Sequence, residues 1–395
     1  MHIQEHTSLK EFTTMKIGGT ARYFAVVTTT RELQEAVNFA KEKGIPTLLL
    51  GGGSNILIAG GEINALALKI EIKGVEWKEA PQFSIFNLQF SRSKSVLVIA
   101  GAGESWDGLV KEAVERGLWG IENLSGVPGS VGGAPIQNIG AYGTEIKETI
   151  EWVEIFDTRT GELKKLSNKE CEFEYRDSMF KRPEGKTLIV TRVALRLQKN
   201  GTPHLEYKDL RESFKLEVLS SKEEKEKRVK QITLSEVRKA VIEIRSKKFP
   251  DLKEFGTAGS FFKNPIIPEA QFYELKKRYP GLPGFSLDAK PARTTEDSVQ
   301  SGGRSTLNAV KIPLAWVLDN ICGFKGFEKG NVKLFEKQPI VLVQNGLATA
   351  EEVEVFAKEI IATVKEKTGI EIEWEVAFIG GNKSHPALDA GSSRT

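Results

Sequence analysis

Residues 125–143, Ser-Gly-Val-Pro-Gly-Ser-Val-Gly-Gly-Ala-Pro-Ile-Gln-Asn-Ile-Gly-Ala-Tyr-Gly, hold six glycines and two prolines in a segment without a single charge. It is too irregular for a helix and too long for a turn, so it must run as ordered loop. Glycine lets main-chain N–H groups approach phosphate or a flat ring without interference from Cβ, and long ordered loops usually serve function. The stretch therefore reads as backbone built to lie against a large ligand carrying a diphosphate; the alternative is a glycine-rich surface loop with no ligand.

A second cluster, Gly51-Gly-Gly-Ser-Asn55, follows directly on the apolar run 45–50. Upstream, residues 30–44 place Leu33, Ala36, Val37 and Ala40 on one helical face, and residues 23–27 read as a strand. The opening is β-α-β. In a Rossmann unit the glycine turn follows the first strand and opens a helix, whereas here the glycines follow the second strand and residues 55–59 look extended. No Gly-x-x-x-x-Gly-Lys-Ser/Thr sequence occurs either. A dinucleotide must be held by neither a Rossmann turn nor a P-loop.

The 395 residues, 40% hydrophobic and 28% charged, suit a globular protein of two or three domains. A net charge of +3 gives no case for nucleic acid and suits a phosphorylated ligand. With no apolar run of transmembrane length and no basic-then-apolar leader, the expected location is the cytoplasm. Cys171 and Cys322 are isolated, which predicts neither a disulfide framework nor a zinc site. The four histidines, His2, His6, His204 and His385, suggest no triad or ligand pair. Chemistry here is expected from a cofactor.

Along the chain, strands at 97–100, 153–156 and 188–197 flank a helix near 105–116. The charged run 220–230 reads as a solvated linker or exposed helix start near a domain boundary. After it, Thr233-x-x-Glu236 caps a helix with Val237, Ala240, Val241 and Ile244 on its apolar face, taken as the start of a second domain. Residues 280–305, rich in Gly, Pro, Ser and Thr, read as an inserted, mobile loop. Thr349-x-x-Glu352 caps a helix with Val353, Phe356, Ala357, Ile360 and Val364 inward, ended by Gly369. In the strand expected over 370–378, alternation turns Glu371, Glu373 and Glu375 to solvent.

Five motifs in order make the pattern specific: Gly51-Gly-Gly-Ser-Asn55, the 128–143 loop, Tyr175-Arg-Asp-Ser-Met-Phe-Lys181, Gly259-Ser-Phe-Phe-Lys-Asn-Pro265 and Glu373-Trp-Glu-Val376. From about Thr13 to Gly380 the chain resembles the UDP-N-acetylenolpyruvoylglucosamine reductase family, also called UDP-N-acetylmuramate dehydrogenases. The resemblance implies an α+β protein: an FAD-binding part of the vanillyl-alcohol-oxidase type with two α/β subdomains, plus a C-terminal α/β substrate-binding domain. The implied boundaries are 1–200 for the FAD part (about 1–60 and 61–200) and 205–369 for the substrate domain, with an insert near 280–305. Residues 370–380 would form a final strand returning to the FAD part, and 381–395 a disordered tail.

The implied cofactors are FAD, held without a covalent link because neither glycine loop carries His or Cys, and NADPH as hydride donor. The implied FAD contacts are Gly51, Gly52, Gly53, Ser54 and Asn55 in the first loop, Asn123, then Pro128, Gly129, Ser130, Gly132 and Gly133, and finally Ile139, Gly140, Ala141 and Tyr142. The implied reaction reduces UDP-N-acetylglucosamine enolpyruvate to UDP-N-acetylmuramate for peptidoglycan. By resemblance Arg176 and Glu375 stabilise the enolate and Ser260 supplies the proton, while Tyr207, Lys248, Asn264 and Gln338 bind substrate, Tyr207 on a mobile lid. Expected partners are the small-molecule substrate and NADPH, with no nucleic acid, no membrane and no metal, and the expected state is a monomer.

Without the resemblance these residues read more plainly. Arg176 would pair with Asp177 on a surface turn, Ser260 would be a turn serine, and Lys248 a cation at a helix C-terminus. The insert is longer than the family leads one to expect, which weakens the placement of Gln338, and the tail after Gly380 has no clear counterpart. A flavin-dependent sugar or alcohol oxidase of the same fold and a non-catalytic nucleotide-sugar binder stay open as alternatives. Joint retention of Arg176, Ser260 and Glu375 argues against the second.

Overall fold

The computed structural model describes residues 1–80, 95–287 and 308–380. Contacts divide the chain into two compact units. The first comprises residues 1–54, 58–248 and 379 onward; the second comprises residues 55–57 and 249–378.

The first unit holds two sheets. Strands β1 (Ile3–Ser8), β2 (Thr20–Val27), β3 (Thr47–Leu50) and β5 (Glu62–Ile70) form one in the order β1-β2-β5-β3, while β4 (Ile56–Ile58) is where the chain passes between units. β2 and β3 both run parallel to β5, and helix α1 (Thr30–Lys43) makes the crossover between them. α1 forms as its residues dictate. Thr29 caps the Glu32 N–H, Leu33, Ala36, Val37 and Ala40 are buried along one stripe, and Gly44 ends the helix at φ 63°. The β-α-β opening is as expected, with β5 inserted between its two strands.

β6 (Val75–Glu79), β7 (Ser95–Gly101), β10 (Ile150–Asp157), β11 (Glu162–Ser167) and β12 (Leu188–Gln198) form the second sheet, antiparallel in the order β11-β10-β12-β7-β6. Helix α2 (Trp106–Glu115) follows β7, and the short hairpin β8 (Gly140–Ala141) and β9 (Thr144–Glu145) closes the long glycine-rich loop. Residues of both sheets, α1 and α2 pack into one core that includes Leu33, Leu68, Val98, Trp106 and Val193.

Helices α3 (Lys208–Ser213), α4 (Lys222–Gln231) and α5 (Leu234–Lys248) complete this unit. The charged run forms α4 under a Ser221/Glu224 capping box and buries none of its residues. α5 has the predicted Thr233/Glu236 cap. The sequence predicts a second domain starting at α5, yet its face Val237, Ala240 and Val241 packs with Tyr142, Leu205 and Leu210 of the first unit. An amphipathic stripe states that a helix is covered, not by what.

The second unit carries two small antiparallel sheets. β13 (Ile266–Pro268), β14 (Phe285–Leu287) and β15 (Ala309–Lys311) make one; β16 (Glu328–Lys329), β17 (Val332–Leu334) and β18 (Leu342–Gln344) make the other. Around them lie α6 (Glu269–Arg278), α7 (Leu314–Asn320) and α8 (Ala350–Thr368). α8 has the expected Thr349/Glu352 box, buried face and Gly369 terminus. Of the expected insert, residues 285–287 are strand β14 and 288–305 lie outside the described residues, as does the tail from 381.

The strand expected over 370–378 is shorter: only Ala377–Ile379 forms one, β19. Residues 370–376 keep alternating burial, with Ile370, Ile372 and Val376 inside, but bond to residues 261–263 only through isolated pairs. Glu375 is half-buried rather than solvent-facing.

Leu33 is fully buried beneath the first sheet. Leu33→Ala should therefore cost about 3 kcal/mol of unfolding free energy, measured by urea denaturation, from lost transfer energy plus the cavity left behind.

Candidate functional site

The first glycine loop leaves β3 and meets the second without side chains between them. A Cβ on Gly52 would lie 2.5 Å from the Gly129 Cα, and one on Gly51 would lie 2.7 Å from the Ser130 hydroxyl. Gly53, at φ 64°, passes so close to Phe12 that a Cβ would stand 1.9 Å from its carbonyl oxygen. Ser54 Oγ donates to the Pro128 carbonyl at 3.0 Å and locks the two loops together. Among the described residues, the N–H groups of Gly52, Gly53 and Ser54 meet no main-chain carbonyl. A strip of unspent donors flanked by glycine is what a diphosphate requires.

The second loop is tied from behind. The Val131 and Gly132 N–H groups donate to the Glu104 and Ala102 carbonyls at 2.9 and 2.8 Å, and Ser130 Oγ accepts from the Gly133 N–H. The N–H at the head of α2, on Trp106, donates to Gly129 O at 3.1 Å. Further on, Ile139 is buried and Gly140 and Ala141 pair with β9. Asn123 is buried and gives both amide protons away, to the Tyr142 carbonyl (2.9 Å) and the His204 carbonyl (2.8 Å). Among the described residues its Oδ1 has no partner. A buried amide oxygen left bare costs free energy unless a ligand N–H meets it.

Three non-glycine residues of this region sit at positive φ: Asn138 (46°), Tyr142 (49°) and Arg176 (54°). Asn138 suits that backbone, and its side chain spans Glu145, the Glu174 carbonyl and the Lys147 N–H. Tyr142 and Arg176 have no such intrinsic tolerance, so surrounding contacts must hold them. Arg176 donates through Nη2 to the Gly140 carbonyl at 2.5 Å, where a Cβ on Gly140 would crowd its Nη1. Arg176 thus braces the end of the second glycine loop.

Tyr142 and Tyr207 stack edge to face at 5.2 Å. Tyr207 precedes α3, whose Asp209 pairs with Lys248 at the end of α5. Lys248 is therefore an ion-pair partner as well as a helix-terminal cation. Near Tyr142 stands Arg245, which sequence reasoning passed over: its Nε donates to the Gly126 carbonyl at 3.0 Å and its guanidinium charge acts on the Tyr142 phenol. Burial pushes the Tyr142 phenol up to about 12, against the pull of Arg245, and pushes Arg245 down from the usual guanidinium range. Tyr142 is accordingly a neutral donor across the working pH range. The signal was present in Arg245-Ser-Lys-Lys248, since positions i and i+3 share a helix face.

In the second unit, Ser260 follows Gly259, at φ 74°, and pairs as a bridge with Val341 on one side. On the other, the Glu375 N–H donates to the Phe261 carbonyl at 2.8 Å and the Lys263 N–H to the Glu373 carbonyl at 2.9 Å. Backbone bonds thus place Ser260 beside the Glu375 segment, and its hydroxyl makes no hydrogen bond among the described residues. Asn55 bonds the Glu375 main chain: its Nδ2 donates to the Glu375 carbonyl (3.1 Å) and its carbonyl accepts from the Ala377 N–H (3.0 Å). Asn264 Oδ1 accepts from the Leu314 N–H at 2.9 Å, capping α7 and leaving only its amide protons for a ligand. Gln338 lies in the turn that returns to Val341. No cluster of His, Cys, Asp and Glu among the described residues could hold a metal ion.

Residues 21–167 match the family model of an FAD binding domain, and residues 251–379 match that of the UDP-N-acetylenolpyruvoylglucosamine reductase C-terminal domain. The UDP-N-acetylenolpyruvoylglucosamine reductase of Pseudomonas aeruginosa is 36% identical over 95% of this chain and 98% of its own. That of Bdellovibrio bacteriovorus is 36% identical over 95% and 99%. The solved reductase of Thermus caldophilus superposes with a TM-score of 0.58 at 24% identity, covering 96% of this chain and 98% of that one, which supports the fold. The donors and bare acceptor described above fit the FAD that the first model names.

Gly52→Ala should leave the protein largely free of flavin, read as the ratio of visible to ultraviolet absorbance after purification. Gly117→Ala, which carries only the backbone cost of φ 71° because the new Cβ meets nothing within 4 Å, should retain it.

Proposed function

The chain belongs to the UDP-N-acetylenolpyruvoylglucosamine reductase family, and from that premise we propose that it reduces UDP-N-acetylglucosamine enolpyruvate to UDP-N-acetylmuramate with NADPH, supplying peptidoglycan precursors in the cytoplasm. The observation that carries this reading is the glycine cradle with its bare Asn123 oxygen, in a chain whose likeness to these reductases covers both family models. FAD held by the two glycine loops would supply the redox chemistry, hydride transfer from NADPH to the vinyl CH2 carbon of the substrate. The remaining work falls to side chains.

Hydride addition at the CH2 carbon throws negative charge onto the neighbouring carbon and into its carboxylate. That charge calls for a cation aimed at the carboxylate, and Arg176 is the proposed group. Its Gly140 anchor supports the role, because a guanidinium fixed before reaction spends no free energy reorganising. Glu375 is the proposed second stabiliser, donating to the substrate carboxylate in its protonated form. Ser260 then delivers a proton to the carbanionic carbon. A serine hydroxyl is a weak acid, so the role needs proximity and a hydrogen not already committed. The uncommitted hydroxyl described above supports it.

Tyr207 and Lys248 are proposed to bind the UDP diphosphate, with the Asn264 amide and Gln338 as further donors. No helix among the described residues is long and apolar enough to cross a membrane.

The reading is tested by anaerobic absorbance in two additions. NADPH should bleach the flavin, and UDP-N-acetylglucosamine enolpyruvate should restore it; recovery only with oxygen would indicate an oxidase instead. Ser260→Ala should bleach at the normal rate and recover about 10²- to 10⁴-fold more slowly, the usual range for losing a positioned proton donor. Equal slowing of both phases would remove Ser260 from the proton step.

A further inference from the structure

At the end of β5 the sequence Lys69-Ile-Glu-Ile-Lys73 alternates charge with isoleucine. Ile70 and Ile72 are buried in the core, so Lys69, Glu71 and Lys73 share the opposite side. The carboxylate of Glu71 lies between two ammonium groups, Lys69 on Oε1 at 2.7 Å and Lys73 on Oε2 at 3.0 Å. Each lysine also reaches a main-chain carbonyl. Lys69 Nζ donates to Gly51 O at 2.7 Å, at the root of the first glycine loop. Lys73 Nζ donates to Gly103 O.

Gly103 stands between the two residues that hold the second loop, since Ala102 and Glu104 accept from the Gly132 and Val131 N–H groups. Gly103 also packs directly on Glu71, where a Cβ would lie 2.5 Å from the Glu71 Cα. One carboxylate is therefore connected through one lysine to the first loop and through the other to the backbone behind the second. Lys69 is largely covered and Glu71 about three-quarters so, which spares their contact most solvent screening, whereas Lys73 is half exposed and its contact is screened more. Burial alone would push the Glu71 carboxyl up, yet the hydrogen bonds from Lys69 and Lys73 hold it below the ordinary glutamate value.

We propose that Glu71, with Lys69 and Lys73, is a positioning group that sets the spacing of the two glycine loops for the dinucleotide diphosphate, without touching it. The inference rests on the FAD-binding reading of those loops. A loop carbonyl fixed by an ammonium orients the peptide that follows it, and a shared carboxylate couples the two lysines so that neither loop shifts alone.

The test is FAD binding to deflavinated protein, followed by flavin fluorescence, together with the thermal midpoint of the apoprotein. Glu71→Gln and Lys69→Met should each raise the FAD dissociation constant about tenfold, the factor for losing one charge-assisted hydrogen bond. Lys69→Arg should recover most of it, and apoprotein midpoints should stay close to that of Glu79→Gln, which removes only an exposed pair with Lys199. Unchanged FAD affinity in both Glu71→Gln and Lys69→Met would overturn the proposal. So would weakened affinity that follows a lowered apoprotein midpoint and is not restored by Lys69→Arg. Failure of the wild-type apoprotein to bind FAD would overturn instead the flavin reading beneath it.

Discussion

Much of the first unit follows from the approach of Gly52 to Gly129. Two backbones this close have no room for a single Cβ, so the residues that could close the gap reduce to glycine, and polar side chains must fasten the loops from their flanks. Ser54 does so from one side by donating to the Pro128 carbonyl. The N-terminus of α2 does so from the other through Gly129 O. Since the carbonyls are engaged from outside, the N–H groups of Gly52, Gly53 and Ser54 are left facing no carbonyl, and an anion is the chemical complement of that arrangement.

The same economy explains the strained residues nearby. Tyr142 and Arg176 occupy left-handed backbone that costs an ordinary side chain about 1–3 kcal/mol. Tyr142 is held by burial against α5, by Arg245 and by the Tyr207 ring. Arg176 is held by Gly140. Cation and phenol are thereby aimed by backbone that could not easily take another conformation, and α5 belongs to the first unit because it supplies this support.

How much of this was legible in the sequence depended on the range of the cause. α1 and α8 could be read almost to the residue, since Thr29, Thr349, Gly44 and Gly369 act on their own helix ends and the apolar stripes are local. The glycine loops announced a ligand because no other composition permits that backbone. Partners across long separations were not legible: nothing in the sequence says that Asn55 bonds the backbone of Glu375, or that the covered face of α5 meets Tyr142. The strand expected over 370–378 failed for the same reason. Alternation predicts which side chains are buried, whereas a strand also needs a neighbour of matching length, and residues 261–263 offer only three.

That short pairing has a chemical consequence. A serine deep in a long ladder would have its hydroxyl drawn into the polar network of the sheet, as Thr191 in β12 is with Glu154. Ser260 is placed instead by main-chain bonds on either side of its short extended segment, from Val341 and from the segment carrying Glu375, and its hydroxyl is spent on neither. Brief pairing supplies enough constraint to orient the Cα–Cβ bond while leaving the proton uncommitted. The irregular backbone at 370–376, which defeated the strand reading, is on this argument the same feature that lets Ser260 and Glu375 stand on adjoining segments with one half-buried and the other unbonded.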